Sequence, residues 1–519
     1  MTGGDGHHTE GMSRLLGPAI IVTLFGLAGP AINFFTQVLI SAVFGATAQM
    51  DAFLAAVALP QYVITVLVGS LGFVFIPVFI QRTAAKHDDE AWRLASTVLN
   101  LCLIVLGVLA AVCMVFAEPL LRVSAPGLSE ESLRQAVVVA RISWPVIIAS
   151  GATALLTGIY QAKHRFGWAS AVTVIGAGLN MALLLVLAKP FGVKGMAIAA
   201  TASAAFQAIL LLPILFGGKY RPVLDVRSPG LRQLLFLLTP LILANLLGKS
   251  TTIVERYFAS NLAVGSISQL GYAAKLLMMM VVIISSGIST VIFPRMAFNG
   301  ALTDLSAFKK TMSVSLKVMW VLIAPAITVG VVIALPLVTV VFQRGKFTPA
   351  DALSVSVVLK IYLCSLFGAC LGSVTGRAFY ALKDTMTIAV IGSIEAVAYI
   401  IYTALLARRF GIVGVAWGYV IYFTISVLWQ VFVLRFKLGG RGGRDIVISF
   451  LRTGGAALLA GGAAWAGSAA AGGGMWAQLL CGMISGGAAY VLFLKLFRSV
   501  EAALIWRHAY GYARKLARA

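Results

Sequence analysis

Charge is what this sequence has least of. Only 11% of its 519 residues are Asp, Glu, Lys or Arg, against about 25% in a soluble domain, so the chain cannot clothe its surface for water. Acid is scarcer still, with 17 Asp and Glu beside 40 Lys and Arg and a formal charge of +23. The five cysteines, Cys102, Cys113, Cys364, Cys370 and Cys481, lie in apolar runs without CxxC spacing, which excludes a disulfide framework or a zinc ribbon. His7, His8, His87, His164 and His508 stand in tails or loops, none beside Cys or Glu at ligand spacing, so no metal centre is expected. There is no HExxH, P-loop or GxSxG sequence, and GGRGGR from Gly439 is a short connector rather than a phosphate loop. Acids inside apolar runs are nearly confined to Asp51, Glu255 and Glu395, too few for converging acid–base chemistry. The chain reads as a transporter, with no enzyme site and no cofactor beyond a coupling monovalent cation or the membrane potential.

Apolar residues make up 60% of the chain, with a mean hydropathy of +0.97, and they gather in runs long enough to cross a hydrocarbon core of about 30 Å. Windows of about 20 residues predict spans near 16–44, 52–80, 94–117, 133–160, 167–188, 193–216, 234–259, 267–294, 313–342, 350–376, 385–407, 411–434, 446–470 and 475–496. The fold class is therefore an all-α polytopic membrane protein of about fourteen transmembrane helices. Lys and Arg crowd the tails and even-numbered connections, among them Arg82, Lys86, Lys163, Lys219, Lys309, Arg435 and Arg441. By the positive-inside rule both termini are cytoplasmic. These cations face anionic lipids rather than nucleic acid.

The chain also repeats itself. FGVKGMA from Phe191 returns as FGIVGVA from Phe410, aligning Gly192 with Gly411 and Gly195 with Gly414, while FIPVF around Pro77 answers IFPRM around Pro294 at nearly the same offset. Six spans per copy keep one orientation, which predicts two six-helix lobes in a parallel pseudo-twofold repeat, a site between them and a C-terminal helix pair outside the repeat. The expected divisions are a cytoplasmic tail at 1–15, an N-lobe at 16–217, a linker at 218–232 and a C-lobe at 233–436. Spans 13 and 14 occupy 437–497, and a basic interfacial helix follows at 498–519.

Ionisable residues inside spans cost about 2.5–3.5 kcal/mol each at mid-bilayer unless they face a cavity or a partner. Arg141, Lys249, Arg256, Lys275 and Lys360 are such positions. Lys249 and Arg256 are two turns apart in span 7, on one face of a continuous helix, and Lys275 in span 8 would join them if the two spans form a hairpin. Three cations on one wall suit an anion, a phosphate above all. The local reading is that Glu255 neutralises Arg256 and that Arg141 and Lys360 snorkel outward. Pro30, Gly26 and Gly29 interrupt span 1, where Asn33 and Gln37 form a neutral hydrogen-bonding stripe. Gly368, Gly372 and Gly376, and Gly414 with Gly418, mark close helix packing. Asn245 and Glu395 could share a sodium ion.

FGATAQMDAFLAAVALP from Phe44, FIPVF at Pro77, YAAKLL from Tyr272 and above all FQRGKFTPADAL from Phe342 resemble the MurJ/MviN lipid II flippases of the MOP exporter superfamily. The resemblance runs from span 1 through span 12. It implies alternating access of two lobes around a central cavity, cations holding a lipid-linked diphosphate, and a lipid-tail groove at spans 13 and 14. It places Lys275 where the family has a span 8 arginine, and Asp51 at the aspartate opening span 2. The family's span 1 Arg-Asp pair falls at Thr36 and Gln37, an earlier arginine at Pro30, and its span 2 arginines near Ile64 and Thr65; Val68 replaces an acid. Lys249, Arg256 and Lys275 then form the expected diphosphate grip, with Asn33, Gln37 and Asp51 beside it.

The implied function is flipping of a polyprenyl-diphosphate-linked saccharide, lipid II or an exopolysaccharide or O-antigen unit, across a bacterial inner membrane, with envelope-synthesis machinery as a partner. A MATE-like cation-coupled pump and a membrane scaffold are the competing classes.

Overall fold

The computed structural model describes residues 25–497 apart from 27, 85–87, 217–219, 302–304, 383 and 440–442. The expected N-terminal tail and basic terminal helix lie outside the described residues. Among the described residues every regular element is helical, as it must be where no water can satisfy the backbone. Twelve helices among the described residues are long and apolar enough to cross a membrane. One of them holds two spans, and the shorter apolar helix Ala28–Phe44 completes the fourteen that the hydropathy windows predict.

These helices are α1 (Ala28–Phe44), α2 (Ala48–Thr83), α3 (Asp88–Val115), α4 (Glu130–Ala162), α5 (Phe166–Phe191), α6 (Val193–Phe216) and α7 (Pro229–Ser260). They continue with α8 (Ser266–Ser285), α9 (Ser306–Phe342) and α10 (Pro349–Ala381). Next come α11 and α12, the parts of Met386–Lys437 before and after Gly411, then α13 (Arg444–Ala470) and α14 (Met475–Leu496). Pro30 lies within α1.

The chain divides into two compact units, Met1–Ile267 and Ser268–Ala519. In the first, α2 packs on α4, and α5 pairs with α6. The segment leading into α7 is strapped along α3. The Tyr220 hydroxyl donates to Asn100 Oδ1 at 2.7 Å, the Asp225 N–H to Thr97 Oγ1 at 3.2 Å, and Arg93 pairs with Asp225 at 3.0 Å. Ser228 accepts from the Leu231 N–H, with Pro229 opening the helix, a strong start signal. By sequence α7 opens the second repeat; by packing it lies in the first unit, against α2 and α3.

In the second unit α13 and α14 clasp α9. The Trp320 indole donates to the Phe450 carbonyl at 3.0 Å and stacks on the Phe450 ring, and the Tyr490 hydroxyl donates to the Val321 carbonyl at 2.6 Å. Small residues allow this approach: a Cβ on Gly486 would stand 2.9 Å from Val329 Cγ2. Without a hydrophobic drive between helices in lipid, such close contact and hydrogen bonding are what hold the pair.

The repeat is legible in backbone angles. Gly192 closes α5 at φ 57°, ψ −136°, and Gly411 separates α11 from α12 at φ 58°, ψ −133°, a region open essentially to glycine alone. A Cβ on Gly195 would lie 2.2 Å from the Leu187 carbonyl oxygen, and one on Gly414 2.0 Å from that of Leu406. Of the span 10 glycines, Gly368 meets the Phe423 backbone, whereas Gly372 has nothing within 4 Å. The FQRGKFTPADAL stretch is a fastened turn. Gly345 takes φ 58°, Thr348 and Asp351 form a capping box on α10, and the Phe342 and Phe347 rings enclose Tyr272.

Candidate functional site

The middle of α7 is irregular. Its first part ends at Gly248 and its second begins at Thr251, with Lys249 at φ −106°, ψ 5° between them. The Ser250 hydroxyl takes up the Leu247 carbonyl at 2.8 Å, so part of the lost helical bonding is made good by a side chain. Lys249 is exposed at this break. Arg256 is buried: its Nη1 donates to the Ile267 carbonyl at 2.6 Å and lies 3.8 Å from Glu255 Oε1. The one-face reading of Lys249 and Arg256 assumed a continuous helix. The break at 249–250 removes that continuity, and Arg256 turns inward to tie the α7–α8 connection.

Asp51 does similar work. It is 6% exposed, and its Oδ2 accepts the Gly265 N–H at 2.6 Å, at a residue whose φ of 93° favours glycine. The Gly127 N–H donates to Ser260 Oγ at 3.2 Å, a third tie to the same segment.

The other expected residues stand as follows. On α1, Asn33 is exposed and Gln37 half-buried. Asn245 donates to Ser70 Oγ at 3.0 Å within the first unit. In the second unit Lys275 is exposed on α8, beside the buried Ala273, Leu276 and Leu277. Glu395 on α11 is buried. Arg141 Nε donates to the Met114 carbonyl at 3.2 Å, and Lys360 is half-buried on α10.

Sequence reading passed over the part of α2 that faces this region. Residues Ile64–Val68 form a π turn, with the Gly69 N–H bonded five residues back to Ile64. The turn begins four residues after Pro60. The Tyr62 hydroxyl donates to the Leu246 carbonyl at the α7 break. A proline followed by Gln61, Tyr62 and Thr65 in mid-span is the signal that could have marked it.

Among the described residues these helices form a multi-pass membrane fold in which α2 and α7 are irregular where they meet. A solved lipid II flippase MurJ in an inward-closed conformation superposes with a TM-score of 0.81 at 20% identity, covering 92% of this chain and 98% of that one. An inward-facing MATE-family multidrug resistance transporter of the MOP superfamily follows at 0.67 and 19%, covering 82% and 98%. Residues 40–481 match the lipid II flippase MurJ family, and the chain belongs to it. Its relatives include the lipid II flippase MurJ of Burkholderia cenocepacia, 24% identical over 95% of this chain and 97% of its own. A probable lipid II flippase MurJ of Vibrio cholerae is 28% identical over 78% and 79%. The family's members are transporters, not enzymes.

Proposed function

We propose that this chain moves a polyprenyl-diphosphate-linked saccharide, lipid II in the first place, from the inner to the outer leaflet of a bacterial inner membrane by alternating access, with both termini cytoplasmic. Unaided crossing would bury a diphosphate in hydrocarbon at a cost of tens of kcal/mol in the Born limit. The observation that carries the reading is Lys249, an exposed ammonium at a helix break in mid-span, in a chain that belongs to the MurJ family. Lys249 is the diphosphate contact of the first unit, and Asn33 and Gln37 line the path there. Asp51 and Arg256 hold the α7–α8 connection instead of touching cargo. With no nucleotide motif in the sequence, the membrane potential or a monovalent cation gradient drives the cycle, and buried Glu395 is the residue for a cation.

A second reading, a flippase for an exopolysaccharide or O-antigen unit, is favoured by Thr36, Gln37, Ile64 and Thr65 standing where family resemblance leads one to expect charge. The excess of cations over carboxylates disfavours a pump for cationic drugs.

Depletion of the protein followed by identification of the lipid-linked saccharide that accumulates on the inner side tests both. Accumulated lipid II supports the first reading. An unchanged lipid II pool with a lost surface polysaccharide overturns it in favour of the second, and no accumulated lipid of either kind overturns both.

A further inference from the structure

The contact between α2 and α7 joins two irregular stretches of backbone. The two helices run antiparallel, tied near the α7 start by Arg82 against Gly230, farther on by Asn245 with Ser70, and at the far end by Asp51 with Gly265. In that register the α2 π turn, Ile64–Val68, comes opposite the α7 break at Lys249–Ser250, and Tyr62 reaches the Leu246 carbonyl near it. Irregular backbone at membrane depth persists where it is enclosed by protein or lines a watery cavity, and π turns recur at functional sites.

Three exposed polar side chains lie on the stretches that this register brings opposite: Gln61 and Thr65, one turn apart on α2, and Lys249 on α7. The Thr65 hydroxyl donates to the Gln61 backbone carbonyl at 2.8 Å and keeps its lone pairs free to accept. Left against lipid tails, an exposed amide and an ammonium would go unsatisfied at a cost neither helix recovers. They must meet water or a polar ligand.

We propose that this junction, resting on the flippase reading above, is the subsite that recognises the saccharide next to its diphosphate. Lys249 takes the phosphate oxygen nearest the sugar. The Gln61 amide, with two donors and an acceptor, and the Thr65 hydroxyl take the hydroxyl and acetamido groups of the first sugar. One positive charge beside neutral donors and acceptors complements a sugar phosphate. A bare diphosphate would use only the lysine, and a cationic drug would be repelled by it.

The test uses the full chain in nanodiscs and two probes, a polyprenyl diphosphate and the same lipid carrying an N-acetylated disaccharide, with affinities read by native mass spectrometry and folding followed by thermal melting. The wild type should bind the saccharide-bearing lipid about tenfold more tightly than the bare one, the worth of one or two hydrogen bonds. Gln61→Leu with Thr65→Val should erase that difference and leave affinity for the bare lipid unchanged, Gln61→Asn should retain part of it, and Lys249→Met should weaken both lipids alike. Equal weakening of both lipids by the α2 variants, or no change in either, overturns the subsite while leaving the flippase reading intact. A wild type that binds neither lipid overturns both.

Discussion

The two cations of α7 stand seven residues apart and live in opposite surroundings. Arg256 is sealed in protein, one guanidinium nitrogen on the Ile267 carbonyl and the carboxylate of Glu255 nearby, whereas Lys249 is exposed at a break in the helix. Burial is what separates them. A cation whose hydrogen bonds end on its own chain fastens a connection, and removing it unfastens the fold. A cation left open in mid-span costs stability that water or a ligand must recover. Asp51 belongs with Arg256; Gln61 and Thr65 belong with Lys249.

The largest effect should come from Arg256→Met, which removes a buried guanidinium from the Ile267 carbonyl and from Glu255. Breaking a buried pair from one side costs about 3–5 kcal/mol, so the purified variant should melt well below wild type and fall in abundance. An unchanged melting temperature would erase the contrast with Lys249. Lys249→Met should do the reverse, with expression and melting equal to or above wild type. Complementation should be lost, because a charge-assisted contact worth about 1.5–3 kcal/mol is gone; a well-expressed and fully active variant would remove Lys249 from the substrate path.

Gly192→Ala and Gly411→Ala each force a side chain into a backbone region costing about 1–3 kcal/mol. Their losses in thermal stability should match, since the two turns share angles within a few degrees. A large inequality would show that the repeats carry unequal strain.

The smallest effect is electrostatic. The hydrogen bond from Lys437 holds the Asp384 carboxyl below its ordinary value. A depressed folded pKa contributes stability above the unfolded value of about 3.9, and that contribution is lost as pH falls through the folded one. Asp384→Asn should therefore melt slightly lower than wild type at neutral pH, by less than about 1 kcal/mol for so exposed a pair, and equal to it in acid. Cysteine labelling bears on orientation: Ser266 and Ala471 should react from outside, Lys86 and Arg441 from inside.

Hydropathy alone counted the spans correctly because a helix crossing lipid has to be apolar along its length, and the repeat was visible because Gly192 and Gly411 cannot be exchanged for other residues without strain. The site was less legible. A window that averages 20 residues smooths over a two-residue break, so Lys249–Ser250 looked like continuous helix. Arg256 looked available because a side chain that bonds a backbone carbonyl eleven residues away leaves no trace in composition. Asp51 was read toward cargo for the same reason, its partner being the N–H of Gly265. The π turn in α2 had a weak cue, Pro60 with three polar neighbours, which needs α7 alongside before it means anything.

The clasp of α13 and α14 on α9 has a consequence in time. About a hundred residues separate Phe342 from Arg444, and at about 5–20 residues per second the ribosome needs roughly 5–20 s to deliver them. Throughout that interval α9 is already made while its Trp320 indole and Val321 carbonyl await Phe450 and Tyr490. This waiting face is where a nascent chain is most open to the wrong neighbour, and the last two helices complete the second unit by covering it.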